Sequence, residues 1–88
     1  IFDIVNHLNK ASKLSKTISP TKLAELNLQA GRKAKASAAY GPALHYFSVG
    51  ASYIKKQGWQ ENYELTFALF LSAHYQYHFL KTRGKSVI

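Results

Sequence analysis

Apolar residues recur at three- and four-residue steps along most of this chain, the spacing that aligns side chains on one face of an α-helix. Ile1, Ile4, Val5, Leu8, Ala11 and Leu14 form the first such stripe and predict a helix over about residues 1–15. The pattern breaks at Ser15 and resumes after Ser19-Pro20, a start signal in which Ser can cap free N–H groups and Pro is preset for the first turn. A second helix is expected over about 20–38, burying Leu23, Leu26, Ala30 and Ala34, with Leu28 and Gly31 on an adjoining face.

Gly41-Pro42 punctuates the next junction, because Pro disfavours helical geometry in the residue before it yet fits the first turn of a new helix. A third helix is therefore predicted over about 41–57, with Gly58 as its C-terminal cap, Lys55 and Lys56 at its negative end and Trp59 folded back over the junction. A fourth follows over about 61–81, with Glu61 and Glu64 in its first turns and Lys81 and Arg83 at its end. That last helix is apolar on nearly every side, which predicts that a further helix or a partner packs on it. Thr82 to Ile88 shows no periodicity and is expected to fray.

One seam stands out. Tyr40, Ala43, Phe47 and Gly50 alternate large and small at steps of three, four and three, and Gly31 lies in the preceding helix beside Ala30 and Ala34. Small residues let two helices approach closely, and bulky ones at the same seam fill the gaps. Because Gly in a helix interior costs about 1 kcal/mol relative to Ala, Gly31 implies a close neighbour. The expected fold is all-α, with three to four antiparallel helices, held together by Leu26, Ala30, Gly31, Ala34, Tyr40, Ala43, Phe47 and Gly50.

The 88 residues suffice for one small domain of modest burial, and a hydrophobic share of 47% argues against disorder. The most apolar stretch, Leu65 to Ala73, falls short of the about 18 residues a membrane helix needs. The start Ile1-Phe2-Asp3 has neither a basic n-region nor an initiator Met, so the chain is expected to be a segment of a longer protein rather than to carry a signal peptide. Absence of Cys suits a reducing cytoplasm and removes disulfides and cysteinyl metal sites. The net charge of +8 raises nucleic acid or an anionic surface as partners. The cations are dispersed, however, from Lys10, Lys13 and Lys16 through Arg32, Lys33 and Lys35 to Lys81, Arg83 and Lys85, which favours a solvated face.

Candidate chemistry is thin. His74 and His78 share a helical face as two metal ligands would, yet no acid stands nearby to complete a site, so no metal or cofactor is expected. His45 with Ser48, and His7 with Asp3, lack a third member and a strand-turn-helix elbow, so no catalysis is expected. Gly31-Arg32-Lys33 lies within a helix and has no second Gly at phosphate-loop spacing. Arg32, Lys33 and Lys35 near Tyr40, Tyr46 and Tyr53 offer phosphate pairing and base stacking, but Tyr40 belongs to the packing seam.

From about Ala24 to Ile54 the chain resembles a tetratricopeptide repeat, a helix-turn-helix unit of about 34 residues. Ala30-Gly31 falls on its L-G pair and Ala43-x3-Phe47 on its A-x3-F, while Asn27, Ala34 and Lys55 replace its Trp, Tyr and Pro. Longer strings, Ile1 to Asn9, Leu23 to Tyr40 and Tyr63 to Leu69, resemble the segment that follows the STAND-type ATPase in large bacterial multidomain serine/threonine and histidine sensor kinases. That resemblance implies the beginning of a tetratricopeptide-like α-solenoid; it departs from the family at His78 to Gly84, and no kinase or ATPase motif lies within these residues.

The function expected is a non-enzymatic, cytoplasmic module for protein–protein interaction or interdomain coupling within such a kinase. Its candidate surface is Trp59, Tyr63, Phe67, Phe70 and Tyr77. Its partners are adjacent domains of the parent or another protein, with self-association through the fourth helix as a further route. A small basic nucleic-acid-binding domain is the alternative reading.

Overall fold

The computed structural model describes residues 1–14 and 19–86, with side chains described for 1–11, 19–54 and 60–82. Four helices follow one another, α1 (Phe2–Leu14), α2 (Pro20–Ala36), α3 (Tyr40–Glu61) and α4 (Tyr63–Ser86), and no strand occurs among the described residues. The chain is all-α.

α2 begins where Ser19-Pro20 places it, but through the backbone. Ser19 is extended, its side chain makes no cap bond, and its carbonyl accepts the Leu23 N–H at 3.0 Å. α2 is the central helix, and it buries Leu23, Ala24, Asn27, Leu28, Ala30, Gly31 and Ala34, a wider face than the predicted stripe, while Leu26 is half-buried. The extra burial follows from having neighbours on three sides, since α1, α3 and α4 all touch it.

The turn from α2 to α3 lies at Ser37 to Ala39, ahead of Gly41-Pro42. Ala38 adopts φ 60°, the Ala38 N–H donates to the Lys35 carbonyl at 3.0 Å, and the Ala39 N–H reaches back to the Ala34 carbonyl at 2.8 Å. This is the paired-bond helix stop in which a left-handed residue, usually Gly, reverses the chain. The Ala39 carbonyl then accepts the Ala43 N–H at 3.0 Å and starts α3. Gly41 and Pro42 fall inside the first turn of α3, where amide donors lack an intrahelical acceptor and Pro gives up nothing.

α3 continues past Gln57 and through Gly58 to Glu61, so Gly58 is not a cap, Trp59 belongs to a helix rather than a junction, and Glu61 ends α3 instead of opening α4. A lone Gly in a helix interior costs about 1 kcal/mol, which is too little to stop a helix that packs on both sides. Asn62 alone separates α3 from α4, its carbonyl accepting the Thr66 N–H at 3.0 Å. α4 extends through the predicted frayed tail to Ser86; the Lys55, Lys56, Trp59 and Arg83 side chains and residues 87–88 lie outside the described set.

The core runs along the α2–α3 seam, where Ala30, Ala34, Ala43 and Phe47 are buried, and Leu69 of α4 joins them. A Cβ built on Gly31 would lie 2.5 Å from Phe47 Cδ1 and 2.9 Å from Cζ, with Cε1 nearer still. Gly50 is as tightly placed, its hypothetical Cβ 2.7 Å from Leu69 Cδ2, 3.1 Å from Asn27 Cβ and 3.3 Å from the Ala24 carbonyl oxygen. Tyr40, half-buried, packs its ring 4.9 Å from that of Phe79. The pairs Tyr40 with Phe79 and Gly50 with Leu69 show α4 running antiparallel to α3.

α1 docks differently. Among the described members of its predicted stripe only Val5 is fully buried, Leu8 and Ala11 are half-buried, and Ile1 and Ile4 face outward, Ile4 at 61% exposure. Asn9 and Asn27 exchange amide bonds at 3.0 and 2.9 Å, the Tyr46 hydroxyl donates to Asn6 Oδ1 at 3.0 Å, and Phe2 stacks on Tyr46 at 5.7 Å. Asn27 also donates to the Leu23 carbonyl at 2.8 Å, which satisfies an amide that is otherwise fully buried. The Cα radius of gyration, 13.4 Å, exceeds the about 12 Å of a compact chain this long. The helices lie side by side in a slab of 47 × 29 × 19 Å.

The glycines predict opposite responses to one change. Gly31→Ala lowers stability by about 1 kcal/mol and Gly31→Leu by about 3, because the buried Phe47 ring has no free space to enter. Gly41→Ala, with nothing within 4 Å of its Cβ, raises stability by about 0.5–1 kcal/mol. Thermal melts by circular dichroism measure both signs. The same assay on Ala38→Gly shows a gain of about 1 kcal/mol as the left-handed strain is relieved.

Candidate interaction surface

At about 100° per residue, the side chains of α4 divide into two arcs. Leu69, Thr66 and Gln76 point at α2 and α3 and are buried. Tyr63, Phe67, Phe70, Leu71, Tyr75 and Tyr77 fall in an opposite arc of about 160° and are exposed, Tyr63 at 59% and both Leu71 and Tyr75 at 54%. Tyr63 stacks on Phe67 with ring centroids 5.9 Å apart, so the rings tile the helix instead of standing singly. An apolar stripe of this length on a small chain marks a contact surface.

The stripe is bordered by shallow relief. Against α3, Ser48, Ala51, Ser52, Phe70 and Ala73 line a cleft of about 410 Å³, floored by small residues. Toward the end of α4, Leu71, His74, Tyr75, His78, Phe79 and Thr82 line a hollow of about 380 Å³. Lys35 of α2 holds its Nζ 4.5 Å from the Tyr75 ring centroid, and Lys81 places its own 5.8 Å from that of Tyr77. Both are ammonium–ring contacts.

Four of the five residues expected on this surface, Tyr63, Phe67, Phe70 and Tyr77, lie on the exposed arc, and the Trp59 side chain lies outside the described set. Leu71 and Tyr75 belong with them and were missed. Their signal was present in the chain, since Tyr63, Phe67, Leu71 and Tyr75 are spaced by four throughout.

The other candidate groups do not converge. His74 and His78 are exposed with ring centroids 4.4 Å apart, and no cluster of three or more His, Cys, Asp or Glu that could hold a metal occurs among the described residues. His45 and Ser48 are exposed, as are Asp3 and His7. Arg32, Lys33 and Lys35 are exposed, whereas Tyr46 is buried and the Tyr53 hydroxyl donates to Asn9 Oδ1 at 3.4 Å, so neither ring offers a free stacking face beside those cations. A polar cleft of about 290 Å³ between α1 and α3 is lined by Asn6, Asn9, Lys10, His45, Val49 and Tyr53. Its Asn and Tyr groups are largely spent on holding α1. No helix among the described residues is long and apolar enough to cross a membrane.

No protein-family model matches the chain, and no curated protein or solved structure does so either.

The buried arc of α4 holds two polar side chains with no hydrogen-bond partner among the described residues. Thr66 Oγ1 and both amide atoms of Gln76 are enclosed and unbonded, with Gln76 only 1% exposed. An enclosed polar group without a partner costs about 1–3 kcal/mol, whereas an apolar group of the same shape costs nothing of that kind. Gln76→Met and Thr66→Val are therefore expected to raise stability by about 1–2 kcal/mol each, read as higher midpoints in urea.

Proposed function

We propose that this chain is a non-enzymatic helical-repeat module that works by presenting the exposed arc of α4 to another polypeptide surface. The observation that carries the reading is the two-sidedness of α4. One arc closes the core through Leu69, and the opposite arc leaves six large apolar side chains uncovered. Burying the exposed part of these side chains on contact removes apolar surface from water, which favours association.

The tetratricopeptide-like reading is supported by the seam. Gly31 and Phe47 interlock across an antiparallel helix pair, small residues stand at Ala30, Ala34, Ala43 and Gly50, and α4 returns to touch α2 as the next helix of a stacked array does. On that reading the chain is the opening of a helical region in a cytoplasmic bacterial sensor kinase, and α4 couples rearrangements of one domain to the next.

Hydroxyl-radical footprinting of the full gene product tests this directly. Tyr63, Phe67, Tyr75 and Tyr77 are expected to be several-fold less reactive in the full product than in the 88-residue chain. Equal reactivity in both, with the chain folded and monomeric, would remove the case for α4 as a contact surface within the parent.

A further inference from the structure

The exposed arc of α4 is charged in opposite senses at its two ends. Glu64, exposed, stands beside Tyr63 at the start of the arc and is the last acid in the chain. At the far end every described formal charge is positive, with Lys81 against the Tyr77 ring, Lys35 against the Tyr75 ring, and Arg32 and Lys33 exposed nearby on α2. The uncharged apolar middle is Phe67, Phe70 and Leu71. From Glu64 to Lys81 the rise along α4 is about 26 Å, long enough for an extended helix–helix contact.

A surface that reads acidic, apolar, basic along a line is complementary to itself when one copy is turned end for end. We infer that the occupant of the α4 arc is a second copy of this chain, packed antiparallel about a two-fold axis beside Phe70 and Leu71. The inference rests on the reading of α4 as a contact surface and goes further by naming what covers it. In this arrangement Glu64 of each copy meets Lys81 and Lys35 of the other, so each charge contact occurs twice, as two-fold symmetry requires. Phe70 of each copy meets Leu71 of the other, and the Tyr63–Phe67 stack of one lies over the His74 and His78 rings of the other. The helix dipoles agree, because an antiparallel pair sets the positive start of one helix beside the negative end of its partner. A parallel pairing would instead set Glu against Glu and Lys against Lys. The net charge of +8 on each copy opposes approach at a distance, but at physiological salt it is screened beyond about 8 Å, whereas the contacting pairs are screened less. A nucleic acid fits this face worse, since a uniformly anionic strand lying along it meets Glu64.

Analytical ultracentrifugation of the 88-residue chain in physiological salt tests the arrangement, with circular dichroism confirming that each variant stays helical. The expected result is a concentration-dependent dimer of twice 9.9 kDa. Leu71→Glu abolishes it. Glu64→Lys weakens self-association about tenfold, as does Lys81→Glu, because each change sets like charges opposite one another. Mixing these two variants restores a dimer, now of one chain of each kind. A chain that stays monomeric while the footprint of the full gene product is protected overturns the second copy and leaves the contact surface standing. A dimer lost in Leu71→Glu but indifferent to the charge reversals overturns the antiparallel register. A dimer indifferent to every one of these changes forms elsewhere on the chain and overturns the inference outright, and binding of a single-stranded oligonucleotide that Leu71→Glu abolishes, without any dimer, would replace it with a nucleic-acid partner.

Discussion

The ring of Phe47 fills the space that a Cβ at position 31 would need, and the arrangement of the chain follows from that contact. With Gly31 and Phe47 interlocked, α2 and α3 lie close enough for Ala30, Ala34 and Ala43 to be excluded from water with no large side chain between them. The close spacing also sets where α4 goes. Gly50 sits on the same helix as Phe47, and its bare Cα leaves room for Leu69 of α4 on a position that Asn27 and Ala24 of α2 also crowd. Two glycines on facing helices thus hold three helices in contact. A chain of this size has little apolar area to spare, so close approach substitutes for bulk.

α1 is attached by another kind of force. Its apolar stripe is only partly buried, with Ile1 and Ile4 turned outward, and Asn6, Asn9, Tyr46 and Asn27 add directional bonds. Net hydrogen-bond contributions in water are about 1 kcal/mol each, so this attachment stabilises less than the α2–α3 seam but fixes orientation more narrowly. Among the four helices, α1 is the one whose position depends on polar geometry rather than on filled volume.

Much of this was legible in the residues. The large-small alternation of Tyr40, Ala43, Phe47 and Gly50 has one simple reading at helical spacing, and the unexplained Gly31 supplied the other half of the seam. The turn was harder, because the left-handed position is Ala38 and the nearby Gly41 drew attention three residues too late. Gly58 misled in the same way, since the weak local preference of one glycine is overridden when a helix packs along its length. The burial of Asn27 was not readable at all, because its partner Asn9 lies eighteen residues away and on a different helix. On α4 the aromatic residues announced a surface, and the four-residue spacing of Leu71 and Tyr75 from Tyr63 and Phe67 put them on it, but which arc faced water depended on where α2 and α3 lay.

One residue, Asn62, joins the two longest helices. A joint so short leaves room for no further element between them, so the course of α4 back along α3 is set where α3 ends.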